Sequence, residues 1–148
     1  MRVELREAVE DDLPILFRNQ ADPEAGAMAA FLSRDWDAFV AHRAKIGADP
    51  DTLVRTILVD GEVAGNIGSW PAEADRNVGY WIGRAFWGRG VATAALRAFL
   101  DLETTRPLTA YVAAHNIGSR RVLEKCGFDV VREQNVEGVD ELVTSLPR

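Results

Sequence analysis

The segment most informative about the fold, YWIGRAFWGRGVATAA, runs from Tyr80 to Ala95. Its aromatic and apolar start is typical of a strand, and its alanine-rich end predicts a helix. Between them lie two glycines spaced by one residue, Gly88 and Gly90. A helix N-terminus has backbone N–H groups without internal partners, and glycine lets a ligand approach the backbone closely. The stretch therefore predicts a cradle for a diphosphate, with Arg89 as a charged contact.

Other interpretations of this loop remain open at this point. The glycines can serve only as the turn that begins the helix. The loop is not a P-loop, because no Gly-Lys-Ser/Thr follows the glycines. It is also a poor dinucleotide fingerprint, since Thr93 stands where the third glycine should be.

Periodicity outward from this loop indicates an α+β fold. Strands are predicted over 2–7, 53–59, 62–70, 78–82, 108–113, 128–136 and 139–146, and helices from Leu13, over 91–102 and over 119–126. The carboxylates of residues 10–12 are expected to cap the first helix. Between residues 21 and 51 we expect two short helices, or one helix and a loop, because Pro23 and Gly26 interrupt the pattern. The order predicts a single domain over 1–148, a mixed sheet with about four helices packed on it.

Composition excludes several classes of protein. The chain has 148 residues, 47% of them apolar, which suits one globular domain that needs no metal or disulfide to fold. A net charge of −6 argues against a general nucleic-acid binder and is compatible with a cationic substrate. The single Cys126 rules out an internal disulfide. Since no signal-peptide pattern or membrane-length apolar run is present, we expect a cytoplasmic protein without a membrane partner.

Two blocks of sequence resemble the GNAT superfamily of acyl-CoA-dependent N-acyltransferases. The segment Trp87–Ala92, WGRGVA, is similar to the family's pyrophosphate loop, Gln/Arg-x-x-Gly-x-Gly/Ala, and departs from it at Trp87. The segment His115–Phe128, HNIGSRRVLEKCGF, resembles the Asn-x-x-Ser…Glu-Lys-x-Gly-Phe element of one branch, the ribosomal-protein N-terminal alanine and serine acetyltransferases. Both blocks occur in the family's order, which is more specific than either one alone.

The resemblance implies transfer of an acetyl group from acetyl-CoA, a co-substrate, to an amine by direct attack in a ternary complex. It implies a twisted, mostly antiparallel sheet with splayed central strands. A main-chain N–H near Trp81 or Ile82 would polarise the thioester, and Asn116 would reach the pantetheine arm or lock its own loop. The implied donor-binding residues are Trp81, Ile82, Trp87, Gly88, Arg89, Gly90, Val91, Ala92, Thr93, Asn116 and Ser119.

Acid and base are less directly indicated. Many family members place a proton-donating tyrosine where this chain has Leu123, so Ser119 is the candidate catalytic acid. The alternative for Ser119 is an N-cap hydroxyl of its helix. A weak base acting through water would suffice, because an α-amino group has a pKa of about 8. Nothing in the sequence selects among Glu73, Asp75 and His115.

The remaining chemistry-bearing residues receive structural interpretations. Cys126 has no paired histidine and is expected to pack, and His42 and His115 lack the spacing of a metal site. Phe31, Trp36 and Phe39 either line the acceptor pocket or anchor the N-terminal helices to the sheet, and we favour the second role. We expect Trp70, Trp81 and Trp87 to surround the donor cleft, with core packing accounting for at least one of them.

The acceptor is expected to be a protein N-terminus, a small amine or polyamine, or an amine-bearing antibiotic. Two competing functions remain: an acyl-CoA sensor without turnover, favoured by the missing tyrosine, and a nucleotide-binding regulator. The C-terminal hairpin is a candidate dimer contact.

Overall fold

A computed structural model describes the whole chain, residues 1–148. The strands are β1 (Val3–Arg6), β2 (Leu53–Val59), β3 (Glu62–Pro71), β4 (Arg76–Ile82), β5 (Leu108–Ala113), β6 (Asp129–Val136) and β7 (Val139–Leu146). The α-helices are α1 (Leu13–Ala21), α2 (Pro23–Ala29), α3 (Trp36–Ala48), α4 (Val91–Leu102) and α5 (Ile117–Lys125). No helix combines the length and apolar character needed to cross a membrane.

All seven strands form one sheet in the order β1-β2-β3-β4-β5-β7-β6. Every neighbouring pair is antiparallel except β4 and β5, which are parallel. The predicted mostly antiparallel mixed sheet is confirmed. The predicted β2–β3 hairpin is confirmed, with β3 ending one residue later than expected, at Pro71. Asp60 and Gly61 both take the positive φ that its two-residue turn requires (49° and 84°).

The helices number five rather than about four. Pro23 does not interrupt a helix but begins α2, where its missing N–H is not needed, and the Asp22 carboxylate accepts from the Glu24 N–H (3.2 Å). Gly26 lies inside α2. The helix ends at Ala30, which adopts a left-handed conformation (φ 53°), and α3 starts again at Trp36.

The core lies between the sheet and α4. Ala95, Leu96 and Phe99 on one face of α4 are fully buried, and they belong to one cluster with residues of strands β2 to β5. Helix α1 packs on β3 and β4 from the other face, where the Trp81 indole donates to the Asn19 carbonyl (3.0 Å). Because successive strand residues face opposite sides, Val78, Tyr80 and Ile82 face α4 and Trp81 faces α1.

The carboxylate of Asp12 does not cap α1 as expected. It makes no cap hydrogen bond to that helix. Instead it accepts hydrogen bonds from both terminal Arg6 nitrogens (2.8 Å each), the Thr56 hydroxyl (2.7 Å) and the Val9 N–H (3.0 Å). These bonds tie β1, β2 and the start of α1 together. The hydrogen bond from Arg6 outweighs burial and lowers the pKa of Asp12 to about 2.

We expect Asp12→Asn to lower the free energy of unfolding by about 2 kcal/mol at neutral pH. The carboxylate's pKa is lower in the folded than in the unfolded chain, so its contribution is present above about pH 4 and is lost as the pH falls toward 2. The variant should therefore lose this acid dependence. Urea unfolding at about pH 7 and about pH 3 measures both effects, with Asp11→Asn, an exposed neighbour, as the control. Equal unfolding curves for the two variants would contradict the assignment.

Candidate active site

The central feature of the site is a gap between β4 and β5. The two strands pair only at Arg76 with Leu108 and at Asn77 with Thr109, and beyond these pairs they separate. This is the predicted splay. It opens toward the C-terminal ends of both strands, where the glycine loop and the start of α5 also lie.

The closed end of the gap is held by a buried polar cluster. Glu103, just after α4, accepts from the Ser69 hydroxyl (2.5 Å) and pairs with the Arg76 guanidinium. Burial acts to raise the pKa of Glu103, but the hydrogen bonds from Ser69 and Arg76 outweigh it and hold this pKa below its usual value. The ionised cluster joins β3, β4 and α4 where the splay begins.

One edge of β4 faces this gap with unpaired backbone. The Gly83 N–H donates to Ala64 O on β3 (2.8 Å). Since backbone groups alternate from one edge of a strand to the other, Trp81 also directs its N–H toward β3, whereas Tyr80 and Ile82 direct theirs into the gap. The Ile82 carbonyl points the same way and accepts from the Trp87 indole (2.9 Å), not from β5. Of the N–H groups of Trp81 and Ile82, which the family resemblance implies as candidates to polarise a thioester, only that of Ile82 points into the gap.

The glycine loop forms an array of free backbone donors. Gly88 and Gly90 have φ of 72° and 77°, and Gly90 is the N-cap of α4. The Trp87 N–H donates to Arg84 O and the Ala94 N–H to Gly90 O, but none of the six N–H groups from Gly88 to Thr93 donates to a protein acceptor. Nothing lies within 4 Å of the position a Cβ would take at either glycine. These residues fit an anionic diphosphate.

The charged residue of this loop is held close to the array. The Arg89 guanidinium lies over the Phe86 ring, 5.4 Å from its centroid. Such stacking restricts a long side chain without using its N–H donors. Arg89 is therefore placed to add a positive charge beside the free N–H groups.

The far wall of the gap is the start of α5. Asn116, not Ser119, is the N-cap, and its side-chain oxygen accepts from the Ser119 N–H (3.2 Å). The capping alternative for Ser119 is therefore wrong, because the helix starts two residues earlier than expected. Asn116 also donates its N–H to Ala113 O (2.9 Å), which fixes the loop between β5 and α5.

The Ser119 hydroxyl is paired with a tyrosine that the sequence did not single out. Its Oγ lies 2.6 Å from the Tyr80 hydroxyl. Tyr80 belongs to β4, so this hydrogen bond crosses from one side of the gap to the other. Burial raises the pKa of Tyr80 to about 12. Strand alternation could have placed Tyr80 on the face of Ile82, but 39 residues separate it from Ser119 and no local pattern joins them.

A cavity of about 670 Å³ opens on the side of the N-terminal helices. It lies between α2, the segment after it and the β6–β7 turn, and it reaches Ala113 at the open end of β5. Its lining includes Asp22, Phe31, Glu137 and Glu141. Asp22 is paired with Arg84 (3.0 Å), which it shares with Glu24, whereas the cavity's other carboxylates, Glu137 and Glu141, have no ion pair.

The three base candidates lie in different places. Asp75 accepts from the Thr109 hydroxyl (3.4 Å) near the closed end of the gap. The His115 ring donates from Nε2 to Ala27 O (3.0 Å) and so joins α2 to the loop before α5. Glu73 is exposed in the β3–β4 connection. The structure brings none of the three to Ile82.

The aromatic residues are divided among different surfaces. Trp87 is at the open end of the gap, whereas Trp70 covers Gly79 on the α1 face and Trp81 packs edge-on against Phe31 (5.2 Å). Phe39 is buried and Trp36 half-exposed against Phe17, as expected of anchors for the N-terminal helices. Phe31 both anchors and lines the cavity. Cys126 is half-buried with a raised pKa caused by burial, which suits a packed thiol.

Comparison with known proteins decides the family. Residues 2–129 match the model of the acetyltransferase (GNAT) domain. The chain belongs to the GNAT acetyltransferase family. The family match includes the gap, the glycine loop and α5, and it ends at the first residue of β6.

Individual relatives agree with this placement. The chain is 35% identical over 89 residues to YdaF of Bacillus subtilis (strain 168), provisionally named a ribosomal N-acetyltransferase; the match covers 55% of the chain and spans about half (48%) of that relative's length. Among solved structures, Mycobacterium smegmatis RimJ in complex with CoA-disulfide has a TM-score of 0.79 at 24% identity, over 97% of this chain and 80% of that one.

A second structure, spermidine N-acetyltransferase from Vibrio cholerae with CoA and spermine, has a TM-score of 0.83 at 15% identity, over 97% and 94% of the two chains. At these identities the structures show a shared fold. Together with the family match over residues 2–129, they show the GNAT fold over 97% of this chain.

Proposed function

We propose that this chain is an acetyl-CoA:amine N-acetyltransferase, with residues 1–148 acting as one domain. The observation that carries the proposal is the row of six backbone N–H groups without protein acceptors, placed at the open end of a gap whose edge also carries free N–H groups. The six N–H groups of the glycine loop suit a pyrophosphate, and those along the edge of β4 suit the amide-bearing arm of CoA.

The gap edge supplies the chemistry at the thioester. With the pyrophosphate on Gly88–Thr93 and the pantetheine arm along β4, the thioester carbonyl reaches the Ile82 N–H. That N–H polarises the carbonyl and then stabilises the oxyanion of the tetrahedral intermediate. The Trp87 indole on the Ile82 carbonyl (2.9 Å) restrains this part of the backbone, so the donor group is held in position before the reaction begins.

The acceptor enters from the cavity on the α2 side, opposite the donor. A primary amine there is attracted by Glu137 and Glu141, whereas Asp22 is already paired with Arg84. We propose a protein N-terminus or a small amine as the acceptor. The resemblance of the second sequence block, the similarity to YdaF and the fold shared with RimJ favour the branch that modifies ribosomal proteins. An α-amino group is partly neutral at pH 7 and needs only a weak base acting through water.

Ser119 is the proposed acid that gives a proton to the departing CoA thiolate. Leu123, where many relatives carry a tyrosine, is buried and unable to do so. Ser119 stands on the far wall of the gap and is not used as a helix cap. A positioned acid of this kind contributes about a hundredfold or more to the rate.

The test begins with calorimetric titration of the protein with acetyl-CoA, and with ATP and NAD as controls. We expect micromolar affinity for acetyl-CoA alone, because the gap suits the pantetheine arm that the other two ligands lack. Preference for ATP or NAD, or no binding, would overturn the proposal and support a nucleotide-binding regulator or an unrelated role.

Release of free thiol then separates an enzyme from a sensor. A peptide beginning with alanine or serine, its N-terminally blocked form and spermidine are the three acceptors to compare. We expect the free α-amine to be acetylated and the blocked peptide to be inert. Binding of acetyl-CoA without thiol release from any acceptor would favour the non-catalytic acyl-CoA sensor.

A further inference from the structure

Tyr80 and Ser119 form an isolated hydroxyl pair across the gap. The two oxygens lie 2.6 Å apart, and the only other hydrogen bond of the Tyr80 hydroxyl is a long one to the Ser119 carbonyl (3.5 Å). Tyr80 comes from β4, two residues before Ile82, and Ser119 from the first turn of α5. The pair thus joins the strand that carries the oxyanion-binding N–H to the helix that carries the proposed acid.

The chemistry of an aliphatic hydroxyl raises a difficulty for Ser119 acting alone. Such a group holds its proton about as tightly as water does, and far more tightly than a thiol does. The departing thiolate comes from a thiol with a pKa of about 8.5. Full proton transfer from Ser119 to that sulfur would therefore be strongly unfavourable, unless the serine oxygen regained a proton in the same step.

We propose that Tyr80 is a positioning residue that supplies this second proton through Ser119. A phenol is a stronger acid than an alkanol, so the Tyr80 O–H donates to Ser119 Oγ and leaves the serine's own O–H free to point at the sulfur. Burial keeps Tyr80 protonated throughout the neutral range, with a pKa of about 12. This inference rests on the proposed function and adds to it the source of the leaving-group proton.

The proposed step balances as follows. As the tetrahedral intermediate collapses, the C–S bond breaks and its electron pair goes to sulfur. The sulfur takes the proton of Ser119, and Ser119 takes that of Tyr80. The nitrogen of the acceptor amine loses one proton to water on becoming an amide, and water returns one proton to Tyr80. No oxidant, metal or further reactant is required.

The test is a double-mutant cycle of Tyr80→Phe, Ser119→Ala and both together. Tyr111→Phe is the matched control, because Tyr111 is the only other tyrosine and is exposed on β5. We expect Tyr80→Phe and Ser119→Ala each to lower kcat about a hundredfold, because neither hydroxyl delivers a proton to the sulfur without the other. The calorimetric affinity for acetyl-CoA should stay within about twofold of wild type in both. The double variant should be no slower than Ser119→Ala alone, since Tyr80 acts through Ser119.

Solvent deuterium separates this role from a merely structural one. In mixtures of H2O and D2O, two protons moving in one step give the wild type a curved dependence of kcat on the deuterium fraction. One proton gives a straight line, which we expect for Tyr80→Phe and for Ser119→Ala. The Ser119→Ala protein keeps Tyr80 in place, so it provides this test even if Tyr80→Phe does not fold.

A readout independent of turnover uses the protein without donor. Urea unfolding of the same four proteins should show that the two substitutions are non-additive, because either one breaks the same hydrogen bond. Additive stabilities, an unchanged kcat in Tyr80→Phe or a double variant slowed by the product of the two single effects would each overturn the inference. Absence of acetyl-CoA turnover in the wild type would instead overturn the proposed function, and this inference with it.

Discussion

Gly90→Asp should lower the affinity for acetyl-CoA about a hundredfold or more, equivalent to about 3 kcal/mol of binding free energy. Gly90 is the N-cap of α4 and lies in the middle of the six free N–H groups. An aspartate there places a negative charge where the pyrophosphate is proposed to bind, and its carboxylate can accept from the same N–H groups. Calorimetric titration of the variant with acetyl-CoA measures the loss.

A matched control separates this effect from backbone strain. Gly61 has a similar positive φ (84° against 77°), it too has nothing within 4 Å of a Cβ position, and it lies in the β2–β3 turn away from the loop. Gly61→Asp adds the same side chain in the same backbone conformation, so both variants should lose about 1 kcal/mol of stability. Only Gly90→Asp should lose affinity for acetyl-CoA. Equal affinities in the two proteins would remove the loop from the binding site.

Gly65→Ala should lower the free energy of unfolding by about 4 kcal/mol or more, a large effect for one methyl group. A Cβ on Gly65 would lie 2.0 Å from the carbonyl oxygen of Trp81, which is backbone and cannot rotate away. β3 and β4 would have to separate where the Trp81–Ile82 peptide presents its N–H to the gap. In the fraction of Gly65→Ala that folds at low temperature, we therefore expect kcat to fall more than the affinity for acetyl-CoA.

Thermal and urea unfolding of a graded set of variants measures this strain. Gly68→Ala, in the same strand, places its Cβ 3.1 Å from Leu53 O and should have a smaller effect. Gly47→Ala, inside α3 with nothing within 4 Å, should be neutral or slightly stabilising. If Gly65→Ala were as stable as Gly68→Ala, β4 would be free to move and the Ile82 N–H would not be fixed.

Local chemistry made part of this fold predictable from the sequence. The β2–β3 hairpin follows from Asp60-Gly61, whose positive φ values suit a two-residue turn, and α4 follows from an apolar face with a regular period. The loop of free donors follows from two glycines before a helix, because the missing acceptors are a general property of helix N-termini. In each case the decisive residues are neighbours along the chain.

Contacts between distant residues could not be predicted in this way. Asp12 is a residue type typical of helix N-caps. Its partner Thr56, however, is 44 residues away and becomes a neighbour only when β1 and β2 pair. Tyr80 and Ser119 meet only because β4 and β5 separate and leave room for a side chain to cross. The start of α5 was misplaced by two residues, since Asn116 and Ser119 are both acceptable caps and only the fold selects one.

The separation of β4 from β5 leaves room for one further strand within the seven-stranded sheet. A pantetheine arm is itself a short chain with two amide groups, so its docking fills the vacant place as a strand would. In the proposed complex, the backbone groups that hold the donor are those that continued pairing of β4 with β5 would have used. In the proposed complex, binding of the donor would therefore also complete the hydrogen bonding of this edge of β4.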